Sequence, residues 1–222
     1  MAEAGSHAGS DGVPAGPFGS WLASFRASLR GSQGSEVPCG DCTGCCISGY
    51  SIQLRPEDER ARARIPAELL VSAPGFPRGH LTMAPHADGV CPMLNAGQCT
   101  IYADRPQTCL DYDCRIFTAA GLEAGGPDKA VINRRVRAWR FAYPTDADRK
   151  AHDAVLEASS FIQRARASFP ANRAPTAPTG IAVLAIKAYR VFLEDGAKSR
   201  SDSEIATAIV DASRSFDAGA PG

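Results

Sequence analysis

The chain has little of what usually announces a partner. Its 222 residues hold 24 Lys plus Arg against 24 Asp plus Glu, so no surplus charge draws the whole protein to nucleic acid or to an anionic membrane. No apolar run is long enough for a bilayer: the richest stretch, Ile181 to Leu193, is interrupted by Lys187 and Arg190. The opening Met-Ala-Glu-Ala-Gly-Ser-His lacks the basic segment and apolar run of an export signal, which places the chain in the cytoplasm. Glycine-rich phosphate loops and nucleotide-binding fingerprints are missing. His7, His80, His86 and His152 show no paired metal-ligand spacing and read as surface or satisfied polar residues. Aromatic residues make up only 7%, and cysteine is absent from everything after residue 114.

What is present is cysteine, concentrated in two groups. Cys39, Cys42, Cys45 and Cys46 form the first, and Cys91, Cys99, Cys109 and Cys114 the second. A reducing compartment keeps thiols unpaired, so this clustering points to a thiolate-bound metal or an iron–sulfur centre ahead of disulfides or inert buried thiols. With 44% hydrophobic residues the chain can bury an ordinary core, and disulfides are not needed simply to fold it. Two-residue spacers between Cys39, Cys42 and Cys45 let a tight loop, eased by Gly40 and Gly44, aim three sulfurs at one centre. Tetrahedral zinc and an iron–sulfur cluster accept the same thiolates, and spacing does not choose between them. Adjacent Cys45 and Cys46 are hard to place on one mononuclear ion, because neighbouring side chains in extended backbone point to opposite faces.

The second group runs Cys91-Pro-Met-Leu, Cys99-Thr-Ile-Tyr, Arg105-Pro-Gln-Thr-Cys109 and a last Cys114. Together with the CxxCxxCC group from Cys39 to Cys46, this resembles the YkgJ-type cysteine-cluster proteins, a zinc- or iron-chelating domain family. Pro92, Leu94, Ile101, Tyr102, Arg105 and Pro106 accompany the eight pattern cysteines, and the resemblance covers Cys39 to Cys114, about a third of the chain. Leu110 stands where many members carry Arg. The resemblance implies a metal ion or cluster, zinc or iron and including a 4Fe–4S cluster, held by Cys39, Cys42, Cys45, Cys46, Cys91, Cys99, Cys109 and Cys114. Some larger relatives look like flagellin lysine methylases, whose motifs are not seen here. Four thiolates around one centre need nearby donors and cations, a role that suits Arg105 and Arg115.

The fold class expected is α-rich, irregular α+β: a cysteine-cluster module with short strands and a hairpin, packed with C-terminal helices. Residues 1–17, poor in large apolar groups, read as a disordered tail. Residues 18–120 read as the metal-binding module, opened by a helix in which Trp21, Leu22, Phe25 and Leu29 share a face and cover the metal domain. Within it, Tyr50 to Leu54 reads as a strand, Pro56 to Arg64 as a helix, Pro66 to Pro85 as loop with short helical turns, and His80 to Ala84 and Gly89 to Leu94 as short strands. Asn95-Ala96-Gly97 turns a hairpin, and Asp104 caps a helix begun by Pro106. Residues 121–217 read as helical. Asp128 caps a helix carrying Ile132, Val136, Trp139 and Tyr143; Thr145 with Asp148, and Ser201 with Glu204, form capping boxes for two more; a fourth, marked by Ile181 and Leu184, ends at Gly196. Residues 218–222 read as a tail.

Three functions suit these observations: a metal-binding protein, an iron–sulfur enzyme for redox or group transfer, and a zinc-stapled interaction module. The last would present a protein partner with the basic face of Lys129, Arg134, Arg135, Arg137 and Arg140. That face reads more simply as solvated, which argues against nucleic acid.

Overall fold

The computed structural model describes residues 12–31, 34, 35, 37–73, 75–172, 174–193 and 200–219. In chain order the elements are β1 Val13–Pro17, α1 Phe18–Ser28, β2 Ile52–Leu54, α2 Glu59–Arg64, β3 Leu70–Ser72, β4 Leu81–Met83, β5 Leu94–Asn95, β6 Gln98–Cys99, α3 Gln107–Asp111, α4 Arg115–Ala120, α5 Ala130–Ala138, β7 Trp139–Ala142, α6 Asp146–Arg164, α7 Pro178–Ala188 and α8 Asp202–Asp217, joined by short 3-10 turns. The architecture is the expected helix-rich, irregular α+β, with strands confined to three small sheets.

Helical periodicity builds the larger core. Phe18, Trp21, Leu22 and Phe25 recur at offsets of three and four, so α1 buries one stripe. Val155, Ala158 and Ile162 do the same on α6, and Ile205 and Ile209 on α8. α6 lies against α1, α4 and α7, and α7 also meets α4 and α8. Both expected capping boxes are present: Thr145 Oγ1 accepts from the Asp148 amide while Asp148 reaches back to the Thr145 amide, and Ser201 and Glu204 repeat the pattern. Asp148 also accepts from the Gly19 amide at 2.9 Å, so one carboxylate fastens the starts of α1 and α6 together.

A second, smaller cluster is made of Leu54, Ala61, Ile65, Met83, Met93 and Ile101. It lies under the three-stranded antiparallel sheet β2-β4-β3, where Ile52 pairs with Met83 and Leu70 with the same Met83 on the other side. α3 joins this sheet through Thr108 Oγ1, which donates to the Gln53 carbonyl at 2.7 Å.

Several local expectations change. Val13–Pro17 is not tail but a strand paired in parallel with β7, and Ala15 is buried there; residues 1–11 lie outside the described residues. The apolar stripe of α1 belongs to the helical core, which also takes in Cys114. The helix expected from Pro56 begins at Glu59; the stretch from Pro66 holds the expected short turn at Ala67–Leu69 and an unexpected strand, β3, while β4 falls within the strand expected at His80 to Ala84. Asp104 does not cap α3; Asp58 does so from another segment, its Oδ1 accepting from the Gln107 amide at 2.8 Å. The helix expected to run through Trp139 to Tyr143 stops at Ala138: the Trp139 amide still donates to the Arg135 and Val136 carbonyls, but its backbone turns extended and Trp139–Ala142 pairs in parallel with β1. The hairpin forms as β5 and β6 with Ala96 and Gly97 at positive φ in the turn. Gly196 lies outside the described residues.

Candidate metal centre

The eight cysteines come from four pieces of backbone, each locally fixed. In the first group the Cys42 amide donates to the Cys39 carbonyl at 3.0 Å, a tight turn through Gly40 at φ +58, where a side chain would strain the backbone. Gly44–Ile47 then forms a 3-10 turn carrying Cys45 and Cys46, whose sulfurs lie 4.0 Å apart. The Cys91 amide donates to the Cys46 carbonyl at 2.7 Å and stitches the start of the hairpin to this turn. Cys99 sits in β6 opposite Leu94, Cys109 on α3, and Cys114 directly before α4. Gly34 lets the incoming chain pass close by α3: a Cβ there would lie 2.7 Å from Leu110 Cβ.

All eight side chains line one cavity of about 560 Å³ between the two hydrophobic clusters. Cys114 is buried in the larger cluster, while Cys91 and Cys99 pack against the smaller. All are free thiols, seven of them half-buried. Among the described residues, no group of three or more His, Cys, Asp or Glu side chains is arranged to hold a metal ion directly, so the sulfurs share a chamber and not a closed coordination shell.

Their electrostatics show why such a set asks for a cation. Burial, then Cys45 and Cys42, push the Cys39 thiol up to about 11. Burial, then Cys45, Cys91 and Cys99, push Cys109 up to about 12. Burial also lifts Cys114 to about 12, opposed by the Trp139 indole, whose Nε1–H donates to Cys114 Sγ at 3.2 Å. Cys45 is raised by its contact with Cys46 and then by burial. Cys91 is raised chiefly by burial. Crowded, desolvated thiols resist ionising together; a metal ion reverses that preference by compensating the thiolates it binds. The donor set therefore fits soft, thiolate-binding metals such as zinc or iron–sulfur clusters.

Sequence reasoning missed the side chains that frame the cavity. Tyr50 and Tyr112 line it with their hydroxyls 3.4 Å apart, and burial, then the hydrogen bond to Tyr50, raise Tyr112. Arg135 donates to the Cys39 carbonyl and stacks 4.8 Å over the Trp139 ring. The sequence signal for Trp139 and Arg135 was a helical stripe and a basic face, which hide this convergence. Of the two arginines expected near the sulfurs, Arg105 lines the cavity, 3.9 Å over the Tyr102 ring, and its charge favours the Cys109 thiolate. Arg115 is engaged elsewhere: buried, it grips Asp113 at 2.7 Å and donates to the Ala15 carbonyl, while Trp21 Nε1 donates to the same carboxylate. His80 and His86 stay away from the sulfurs, and His152 is stacked on Phe18 in the helical core. The basic face is divided: Arg137 pairs with exposed Glu123, Arg140 belongs to β7, and Lys129 turns to the Ser48 carbonyl.

A family model described as "CxxCxxCC: Putative zinc- or iron-chelating domain" matches residues 38–124, the stretch that carries all eight cysteines. The match supports that family for this part of the chain, and with the cysteines it supports metal binding. No curated protein and no solved structure matches the chain. Among the described residues, no helix is long and apolar enough to cross a membrane.

Proposed function

We propose that the protein is a YkgJ-type cysteine-cluster protein that binds zinc or iron, the latter as an iron–sulfur cluster, through Cys39, Cys42, Cys45, Cys46, Cys91, Cys99, Cys109 and Cys114 in a reducing cytoplasm. The observation that carries this reading is the gathering of all eight cysteines, from segments up to 75 residues apart in sequence, around one cavity. The bound metal supplies positive charge to the thiolates and joins the loop of Cys39–Cys46 to the hairpin and to α3. The chain's own residues place the sulfurs: the Trp139 indole orients Cys114, the Cys46 carbonyl anchors Cys91, and Thr108 holds Cys109 against β2. Binding draws these sulfurs inward and couples metal uptake to closure of the module.

Elemental analysis with optical spectroscopy on anaerobically purified full-length protein tests this. Brown protein with iron and labile sulfide means a cluster; colourless protein with zinc means a structural ion. Protein carrying neither, and taking up neither when offered them under reducing conditions, overturns the reading.

A second reading, an iron–sulfur enzyme, draws on the chamber's size, which falls in the range of small-molecule sites, and on Tyr102, 58% exposed at its lining beside Arg105. A small molecule that perturbs the cluster's electronic spectrum in the wild type, and not in a Tyr102→Ala variant, would favour it. An unchanged spectrum with every candidate would leave the metal a structural part.

A further inference from the structure

The cavity wall is divided. Cys39, Cys42 and Cys114 belong to the face made by α5 and β7. Arg135 of α5 holds the Cys39 carbonyl and covers the Trp139 ring, and that indole donates to Cys114 Sγ. Cys42 lies on the same face: a Cβ built on Gly44 would be 3.5 Å from Cys42 Sγ and 3.4 Å from Ile132 Cγ1. Cys91, Cys99 and Cys109 belong to the other face. The first two pack against the small cluster, and the third rides on α3, which is tied to β2. Cys45 and Cys46 sit on the 3-10 turn that joins the two faces: the turn packs on α5, and its Cys46 carbonyl accepts from the Cys91 amide at 2.7 Å.

Three sulfurs on each face and an adjacent pair at the junction divide into two sets of four, the number that fills either a tetrahedral zinc site or a four-iron cluster. We propose that the chain holds two neighbouring four-sulfur centres: Cys39, Cys42 and Cys114 in one, Cys91, Cys99 and Cys109 in the other, with Cys45 and Cys46 giving one sulfur to each. The proposal rests on the metal-binding reading above and deepens it. It also gives the Cys45–Cys46 dipeptide a purpose, since its two sulfurs, 4.0 Å apart at the junction, can each join a different centre. The first centre lies against the helical core and the second against the small cluster, so their environments differ.

Metal counting on the anaerobically purified full-length chain tests the number of centres without any variant. Two zinc ions, or eight irons with eight sulfides, are expected; one zinc or four irons overturns the division while leaving metal binding intact. Absence of any metal, before and after reloading, defeats the underlying reading instead. Cadmium alone, loaded into the reduced metal-free protein, then tests the assignment by cadmium NMR. The wild type is expected to give two resonances. Cys42→Ser should abolish one and Cys99→Ser the other, and Cys45→Ser and Cys46→Ser should each cost one. Loss of both resonances from Cys42→Ser and from Cys99→Ser alike, with amide protection of α6 and α7 retained, would overturn the division. So would loss of the same resonance from both.

Discussion

On one side of the cysteine cavity, thirty-one buried residues among those described interlock across α1, α4, α6, α7 and α8; on the other, six residues sit beneath short strands. The first side has enough apolar burial to be ordered by packing alone. The second spreads its few core residues over the long stretch from Leu54 to Ile101, and so small a cluster does not offset the entropy of ordering so much backbone. The difference gives the proposed metal a purpose. Cys91 and Cys99 pack directly on the small cluster, where a metal bound to them would act as the missing part of its core.

A buried ion pair on the helical side should be the most sensitive place to cut. Asp113 is fully buried and neutralises Arg115, itself tied to the Ala15 carbonyl. Asp113→Ala strands that guanidinium and should cost about 3–5 kcal/mol in chemical denaturation. A loss under 1 kcal/mol would mean that this ion pair does not hold the helical side together. The same truncation on each side sharpens the contrast further. Ile162→Ala in the helical core and Leu54→Ala in the small cluster both remove fully buried side chains and should each cost about 2–5 kcal/mol. Only Leu54→Ala should also weaken metal retention in a chelator competition. Equal metal retention in the two variants would break the comparison.

Acid should act on the helical side through His152. Burial holds its imidazole below the ordinary value of 6.5, with Asp153 and the Thr118 and Ala119 backbone opposing; Tyr143 is hydrogen-bonded to Nδ1 at 2.5 Å. The unfolded chain therefore takes up this proton first as pH falls. The contribution is complete above the ordinary value and is lost as pH drops through it toward the lower folded one. The Tm of the wild type should fall between about pH 7 and pH 5, and His152→Phe should flatten that part of the profile. An unchanged slope would remove His152 from the account. The smallest effect belongs to the caps: Thr145→Ala should cost about 1 kcal/mol and leave the metal content untouched.

Much of the helical side was legible because its signals are local. The 3.6-residue period and the Thr145–Asp148 box announce α6 whatever surrounds it. What escaped depends on distant chain. Ile132, Val136, Trp139 and Tyr143 keep a helical period, yet β1 captures the backbone from Trp139 onward, and nothing in Val-Pro-Ala-Gly-Pro advertises a strand. The same break turns Trp139 toward Cys114, so missing the strand meant missing the indole at the candidate site. Arg115 looked like a partner for sulfur because it follows Cys114 in sequence, but the carboxylate two residues back claims it. The cysteines themselves could be read from spacing, while their division between two faces is a property of packing.

Hydrogen exchange read by mass spectrometry, on the reduced full-length protein before and after chelation, tests the central claim most directly. Metal removal is expected to abolish protection in β2, β4, the β5–β6 hairpin and α3, while α6, α7 and α8 keep theirs. Protection that persists across the whole cysteine module after the metal is gone would contradict the account.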